Sequence, residues 1–388
     1  MERADLAVTP SLFKRFLLPG FAFKAVVIGG GYATGRELAE FFLPSGPWGG
    51  VLGMLLAMAC WSTICAATFV FARTTHSYEY GAFFRSLLGP AWFLFDGAYA
   101  CLVLIMLSVF GAAAGAIGAA IFGWPEIAGT LALVAGIALV AAFGNESVER
   151  LFKYVTYFLY SVYAVFVVLA LLRTSDRVAA NFAISQPATG WALGGLTYAG
   201  YNVVGAVVIL PVLRHLTSRR DAVIAGLLAG PLGMLPALLF FVCMIAYYPA
   251  IATATLPSDY MLARLDAPVF HVVFQLMILA ALLESGTGAI HAVNQRIAGV
   301  LTARGRSLPI GARLLLSTGV LVLSIFVADR FGLVALIARG YRSLAYLFIA
   351  VYAVPLLAFA VWSRGRFTRR SDPAGSEAAA LNPQDFTE

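Results

Sequence analysis

The residues of this chain that could do chemistry lie in a few apolar stretches. The first is Gly29-Gly30-Gly31-Tyr32-Ala33-Thr34-Gly35-Arg36-Glu37, where three successive glycines lead into a hydroxyl, a cation and a carboxylate. Each glycine costs about 1 kcal/mol of helix propensity, so the run predicts a helix that breaks here. A break frees N–H groups at the start of its outer half, near Thr34 to Glu37, and these attract an anion. It frees carbonyls at the end of its inner half, near Ile28 to Gly31, and these attract a cation. The two ends together suit a zwitterion. A Gly-rich face for close helix packing is the competing reading. It accounts for the glycines but not for Thr34, Arg36 and Glu37.

Thr197-Tyr198-Ala199-Gly200-Tyr201-Asn202 repeats the offer later in the chain. Tyr32, Tyr198 and Tyr201 could wall a site, and tyrosine faces suit an ammonium group. Packing or interfacial anchoring is the alternative for any one of them. A third stretch carries Glu284, Ser285, Gly286, Thr287, Gly288 and His291, of which 284, 287, 288 and 291 share one helix face. Ser285 and Thr287 could ligate Na⁺ with carbonyls of the first stretch, Ile28 among them. Glu284 could instead carry a coupled proton, or simply pair with an arginine. His271 and His291 fall near the ends of their helix as ordinary interfacial residues. Arg339 and Arg342 lie at a depth similar to that of Glu37, so Arg36, Glu37, Arg339 and Arg342 are candidates for an external gate. Lys24 and Asp96 could pair likewise toward the other side.

The elements that must position these residues are membrane spans. The chain has 388 residues, 61% hydrophobic and 12% charged, with a mean hydropathy of +0.88. A soluble domain carries about 25% charged residues, so most of this chain has no water to face. About 20 apolar residues cross the hydrocarbon core, and the apolar runs predict ten spans: 14–43, 49–73, 91–122, 126–144, 150–173, 191–214, 221–248, 267–297, 312–329 and 332–362. The first apolar run continues into the glycines without a cleavage site, which predicts no removable signal peptide. Cys60, Cys65, Cys101 and Cys243 all lie within apolar runs and read as packing residues.

With the N-terminus in the cytoplasm, Arg173, Arg177, Arg264 and Arg330 fall outside, and Lys24, Arg36, Arg339 and Arg342 fall within the membrane. The other eighteen of the 26 Lys and Arg fall on the cytoplasmic side, the distribution of the positive-inside rule. That distribution accounts for the isoelectric point of 9.3 without any nucleic-acid partner. Both termini are then cytoplasmic.

Ten spans divide into two inverted halves of five, 1–173 and 174–362, followed by a disordered cytoplasmic tail, 363–388. Gly31-Tyr32 with Leu43-Pro44 in span 1 is echoed by Gly200-Tyr201 with Leu210-Pro211 in span 6. Paired interruptions at matching places in two halves point to a transporter's binding site.

Gly29 to Phe42 (GGGYATGRELAEFF), Tyr198 to Leu213 (YAGYNVVGAVVILPVL) and Phe331 to Tyr346 (FGLVALIARGYRSLAY) resemble the bacterial YkvI family. That family is a branch of the amino acid–polyamine–organocation superfamily with the LeuT-like 5+5 inverted-repeat fold. The resemblance runs along nearly the whole chain. Arg36 stands where the family usually has glutamine, and Arg342 where glycine is common. The two added charges favour an anionic or zwitterionic solute over a polyamine. The resemblance implies an all-α fold with broken helices 1 and 6, set in a bacterial inner membrane. It places a small-molecule substrate at those breaks, with Ser108 and Gly111 of span 3 and with span 8 completing the site. It also implies alternating access coupled to Na⁺ or H⁺, with no bound cofactor. Span 1 lacks the Asp-Pro-Gly-Asn sequence of the metal-transporting relatives.

The expected function is therefore secondary active transport of an amino acid or related zwitterion or carboxylate. A passive channel would want a continuous polar stripe along several spans, whereas polarity clusters near mid-membrane in spans 1, 6 and 8. An intramembrane enzyme would want a catalytic motif beside Glu284 and His291, and none accompanies them. A transport-fold sensor without flux stays open.

Overall fold

The computed structural model describes residues 11–142, 145–184, 186–302, 305 and 309–361, and these contain helices and no strand. The tail expected from 363 lies outside the described residues. So do Arg3, Arg304, Arg306, Arg364, Arg366, Arg369 and Arg370, seven of the eighteen basic residues assigned to the cytoplasmic side.

Hydropathy and length account for the helices directly. Six helical runs among the described residues are apolar and long enough to cross a bilayer, and a shorter apolar helix covers Glu126–Val140. The last of the six, Gly311–Val361, has 51 residues, about 76 Å of helix at 1.5 Å per residue. That is too long for one crossing. Gly332 divides it, at φ 71° and ψ 167°, into spans 9 and 10. Spans 1 and 6 are in pieces. Span 1 consists of Leu18–Val27, Gly30–Ala33 and Arg36–Phe41. Span 6 consists of Trp191–Asn202, Gly205–Val208 and the 3₁₀ stretch Leu210–His215. The ten-span pattern is thus present. Span 5 differs in extent: its helix is continuous from Asn145 to Ala183, past the expected end at 173.

Spans 2 (Gly46–Thr74) and 7 (Arg219–Ile245), the second of each half, cross at small residues. Gly226 and Gly230 lie against the backbones of Ala66 and Met58, with no room for a Cβ. Pro231 within span 7 cannot supply the N–H that would bond to the Leu227 carbonyl. The Ser62 hydroxyl donates to that carbonyl at 2.8 Å instead, so the proline's missing bond becomes a tie between spans.

Each end of the bundle has its own polar fastening. At one end Arg15 forms a bidentate pair with Asp221, at 2.8 Å for both bonds, and Thr217 and Ser218 donate to the same carboxylate. Arg73 donates to the Thr217 carbonyl and Arg214 faces Glu79. At the other end Trp48 donates to the Phe182 carbonyl at 3.0 Å, and Tyr248 donates to Gln186 at 2.9 Å. The pairing expected between Lys24 and Asp96 does not occur. Asp96 accepts from Tyr80 at 2.6 Å and pairs with Arg296, while the Lys24 ammonium lies 4.3 Å from the centre of the Tyr160 ring.

Candidate functional site

Span 1 is interrupted twice. Ile28 leaves the helical region at ψ 75° and Gly29 is extended at ψ −176°. One helical turn follows, Gly30–Ala33, and Gly35 then takes φ +76° before the helix resumes. Gly35 is required by its left-handed backbone and by space, since a Cβ there would lie 2.6 Å from the Phe240 ring. The N–H groups expected to be free near Thr34 to Glu37 are largely in use. Gly35 donates to the Tyr32 carbonyl at 2.9 Å and Arg36 donates to the Thr34 hydroxyl at 3.3 Å. The anion end expected there is therefore taken up by the chain itself.

Span 6 is broken as expected, at the C-terminal edge of its candidate stretch. The helix runs unbroken through Asn202 and loosens only at Val203 and Val204, whose dihedrals remain right-handed helical. Gly200 lies inside this helix and serves another purpose. It lies against span 10, where a Cβ would be 3.0 Å from that of Ala345 and 2.9 Å from Ile349.

At the first interruption of span 1 lies a cavity of about 330 Å³. Span 1 contributes Ile28, Gly29 and Glu37 to its wall, span 6 Tyr201 and Asn202, span 8 Glu284, Ser285 and Gly288, and span 10 Tyr341. A Cβ on Gly29 would lie 3.3 Å from the Ser285 hydroxyl, so these two spans meet at the break. Glu284 also reaches span 5, where the Thr156 hydroxyl is 3.4 Å from its carboxylate.

Several expected residues stand elsewhere. The Tyr32 hydroxyl meets that of Tyr163 at 3.1 Å, and Tyr163 donates onward to the Pro236 carbonyl at 2.8 Å. Tyr32 thus faces spans 5 and 7 rather than the cavity. Ala33 and Thr34 are buried in packing, with the Thr34 carbonyl accepting from the Ser258 N–H at 3.0 Å. Gly30 and Gly31 form the turn immediately after Gly29. Span 3 meets the cavity through Tyr99, Leu102, Val103, Met106 and Phe110, a face set by 3–4 spacing that leaves Ser108 and Gly111 off it. Ser108 donates to the Leu104 carbonyl of its own helix at 2.8 Å, and the Gly111 carbonyl accepts from Thr130 of span 4 at 2.9 Å. Tyr198 and Thr287 are fully buried off the cavity wall, their hydroxyls without a partner among the described residues.

The charges pair differently from the gate expected. Glu37 is 5% exposed and accepts a 2.5 Å hydrogen bond from Tyr201. The arginines take Glu40 instead: Arg36 at 2.9 Å and Arg342 at 3.8 Å. Arg36 also donates to the carbonyls of Ala252 and Ala254, at 2.9 and 3.0 Å, in the segment between spans 7 and 8. Arg339 lies in a separate outer depression with Glu126 and Thr255. Sequence reasoning passed over Glu40, Tyr99, Tyr163 and Tyr341. Glu40 had a signal, being four residues from Arg36 and so one helical turn away. The tyrosines had none, because which face of a span a residue occupies depends on the neighbouring helices.

No protein-family model matches the chain. It is similar to the uncharacterized membrane protein YkvI of Bacillus subtilis (strain 168), with 21% identity over 341 residues, covering 84% of this chain and 92% of that protein. Among solved structures it is similar to MhsT in complex with L-phenylalanine, with a TM-score of 0.56, 16% identity and coverage of 90% of this chain and 91% of that one. It is also similar to a mutant of the Eremococcus coleocola manganese transporter, with a TM-score of 0.54, 15% identity and coverage of 91% and 82%. The fold is therefore the LeuT-like one. No group of three or more His, Cys, Asp or Glu that could hold a metal occurs among the described residues.

Proposed function

From this fold and this cavity we propose that the protein is a secondary active transporter that moves a small polar solute by alternating access. The observation that carries the reading is the cavity itself, which opens where span 1 loses its helix and is walled by spans 3, 6, 8 and 10. Non-helical backbone at membrane depth survives only where protein buries it or a wet cavity adjoins it, and a broken helix at such a cavity is the common plan of secondary transporters. The 21%-identical YkvI and the fold shared with MhsT and the manganese transporter support the same reading.

The solute belongs to the amino acid size class and presents an amino group to Glu37 and the tyrosines. A simple carboxylate suits the walls less well, because Arg36 and Arg342 are drawn off to Glu40. The coupling ion is Na⁺ or H⁺. Ser285, beside Gly29, is placed for Na⁺, and Glu284 for a proton. The end of the bundle fastened by Arg15, Arg73 and Arg214 is the cytoplasmic one. The two five-span halves act as units that move against each other. The chain works without a cofactor or nucleic acid.

The test is uptake of radiolabelled amino acids and amines into liposomes containing the purified protein, driven by an inward Na⁺ gradient or a pH gradient. Accumulation that collapses with the gradient supports coupled transport. Equilibration at the same rate with and without a gradient would identify a passive channel, and no flux of a solute that binds would identify a sensor.

A further inference from the structure

The cavity wall has a one-sided charge. Two carboxyl groups reach it, Glu37 from span 1 and Glu284 from span 8, and no Lys, Arg or His is among the described residues that line it. The basic residues nearby in sequence are engaged by other groups: Arg36 and Arg342 at Glu40, Arg296 at Asp96 with its guanidinium 5.2 Å from the centre of the Tyr99 ring, and Lys24 over the Tyr160 ring. The remaining polar surface is mostly aromatic. Tyr201 and Tyr341 lie with ring centres 4.6 Å apart, and Tyr99 faces the same space from span 3.

We propose that the cavity binds an organic ammonium ion of net positive charge, held by the Glu37 carboxylate within the tyrosine rings, and that Glu37 is a substrate-binding residue rather than half of a gate. An unpaired carboxylate at this depth is costly, and one hydrogen bond from the neutral Tyr201 hydroxyl supplies no counter-charge. That bond engages Oε2 and leaves Oε1 for a ligand. An ammonium there gains a charge-assisted hydrogen bond and the faces of electron-rich rings. A free carboxylate on the ligand would have no cation to meet and would face Glu37 and Glu284. The volume of about 330 Å³ lies at the small end of ligand pockets. The inference takes its physiological meaning from the transporter reading but makes a separate claim about binding.

The test uses one carbon skeleton with four charges: 1,4-diaminobutane, butylamine, 4-aminobutyrate and butyrate. Each is titrated against the detergent-purified full chain at pH 7, with thermal unfolding as the readout. The expected order of protection follows positive charge, with both amines effective and butyrate inert. Glu37→Gln should weaken butylamine binding at least tenfold at unchanged salt, with its unliganded unfolding temperature reported alongside. If that variant does not purify folded, Glu284→Gln, on span 8, should weaken 1,4-diaminobutane more than butylamine. Protection by butyrate or 4-aminobutyrate but not by butylamine overturns the proposal. So does a flat response to all four, or wild-type butylamine affinity in Glu37→Gln. Flux separates this claim from the reading it rests on. An amine that binds but is not carried into liposomes counts against transport and leaves the binding claim standing, whereas transport of a carboxylate with no amine bound does the reverse.

Discussion

The interruptions in spans 1 and 6 began as one pattern and ended as two different structures. In span 1 three glycines adjoin, no strong helix former bridges them, and the backbone leaves the helix at Ile28 and Gly29 to border a cavity. In span 6 Gly200 lies within the continuous helix Trp191–Asn202, and its missing side chain lets span 10 approach. A glycine thus has two uses in a membrane helix. It loosens the backbone at Gly29, and it admits a neighbouring helix at Gly200, as it does at the adjoining Gly194 and Gly195.

The sharpest way to break this comparison is Gly200→Val. Its Cβ would stand 3.0 Å from that of Ala345 and 3.1 Å from the Ala345 carbonyl oxygen, and a backbone atom cannot move aside as a side-chain end can. Overpacking of this kind costs about 1–3 kcal/mol, so the unfolding temperature in detergent should fall by several degrees. A variant with full stability and lost ligand binding would mean that span 6 is the functional break after all.

Gly29→Ala is the counterpart. Its extended φ of −96° suits any residue, and the new methyl would meet Ser285 at 3.3 Å, a contact that small shifts relieve. Stability should stay nearly constant while ligand affinity drops about tenfold, or about 1.4 kcal/mol, because the methyl stands at the cavity wall. Titration calorimetry with any ligand found by unfolding shifts would read it. A large loss of stability instead would make Gly29 a packing glycine like Gly200.

Ser285→Ala asks what the meeting of spans 1 and 8 is for. If Na⁺ sits there, ligand binding in Na⁺ buffer should decline to its level in K⁺ buffer, with little change in the K⁺ value. Sodium enhancement that survives the substitution would move the coupling role to Glu284 and to a proton. The smallest effect on binding belongs to Trp61→Phe. The indole N–H of span 2 donates to the Ala199 carbonyl of span 6 at 3.3 Å, and the ring is fully buried. Loss of the bond and of the ring's packing should cost about 1–3 kcal/mol of stability and leave affinity unchanged.

Much of this molecule was readable before any coordinate. Spans follow from length and hydropathy, which are properties of contiguous residues, and the ends of spans 3, 7 and 9 fell close to where apolar runs stop. The loosened backbone of span 1 was likewise written locally, in adjacent glycines. Only the tertiary structure decided which side chains meet. Each residue along a helix turns the side chain by about 100°, so whether Tyr32 reaches the cavity or Tyr163 depends on how span 1 is rotated against spans 5 and 7. The same holds for two glutamates three residues apart. Glu37 came to Tyr201 and the cavity, and Glu40 came to two arginines. Composition can say that such charges must find partners in a membrane. The choice among partners far apart in sequence belongs to packing, which sums contacts over the whole bundle and is not encoded in any one stretch of it.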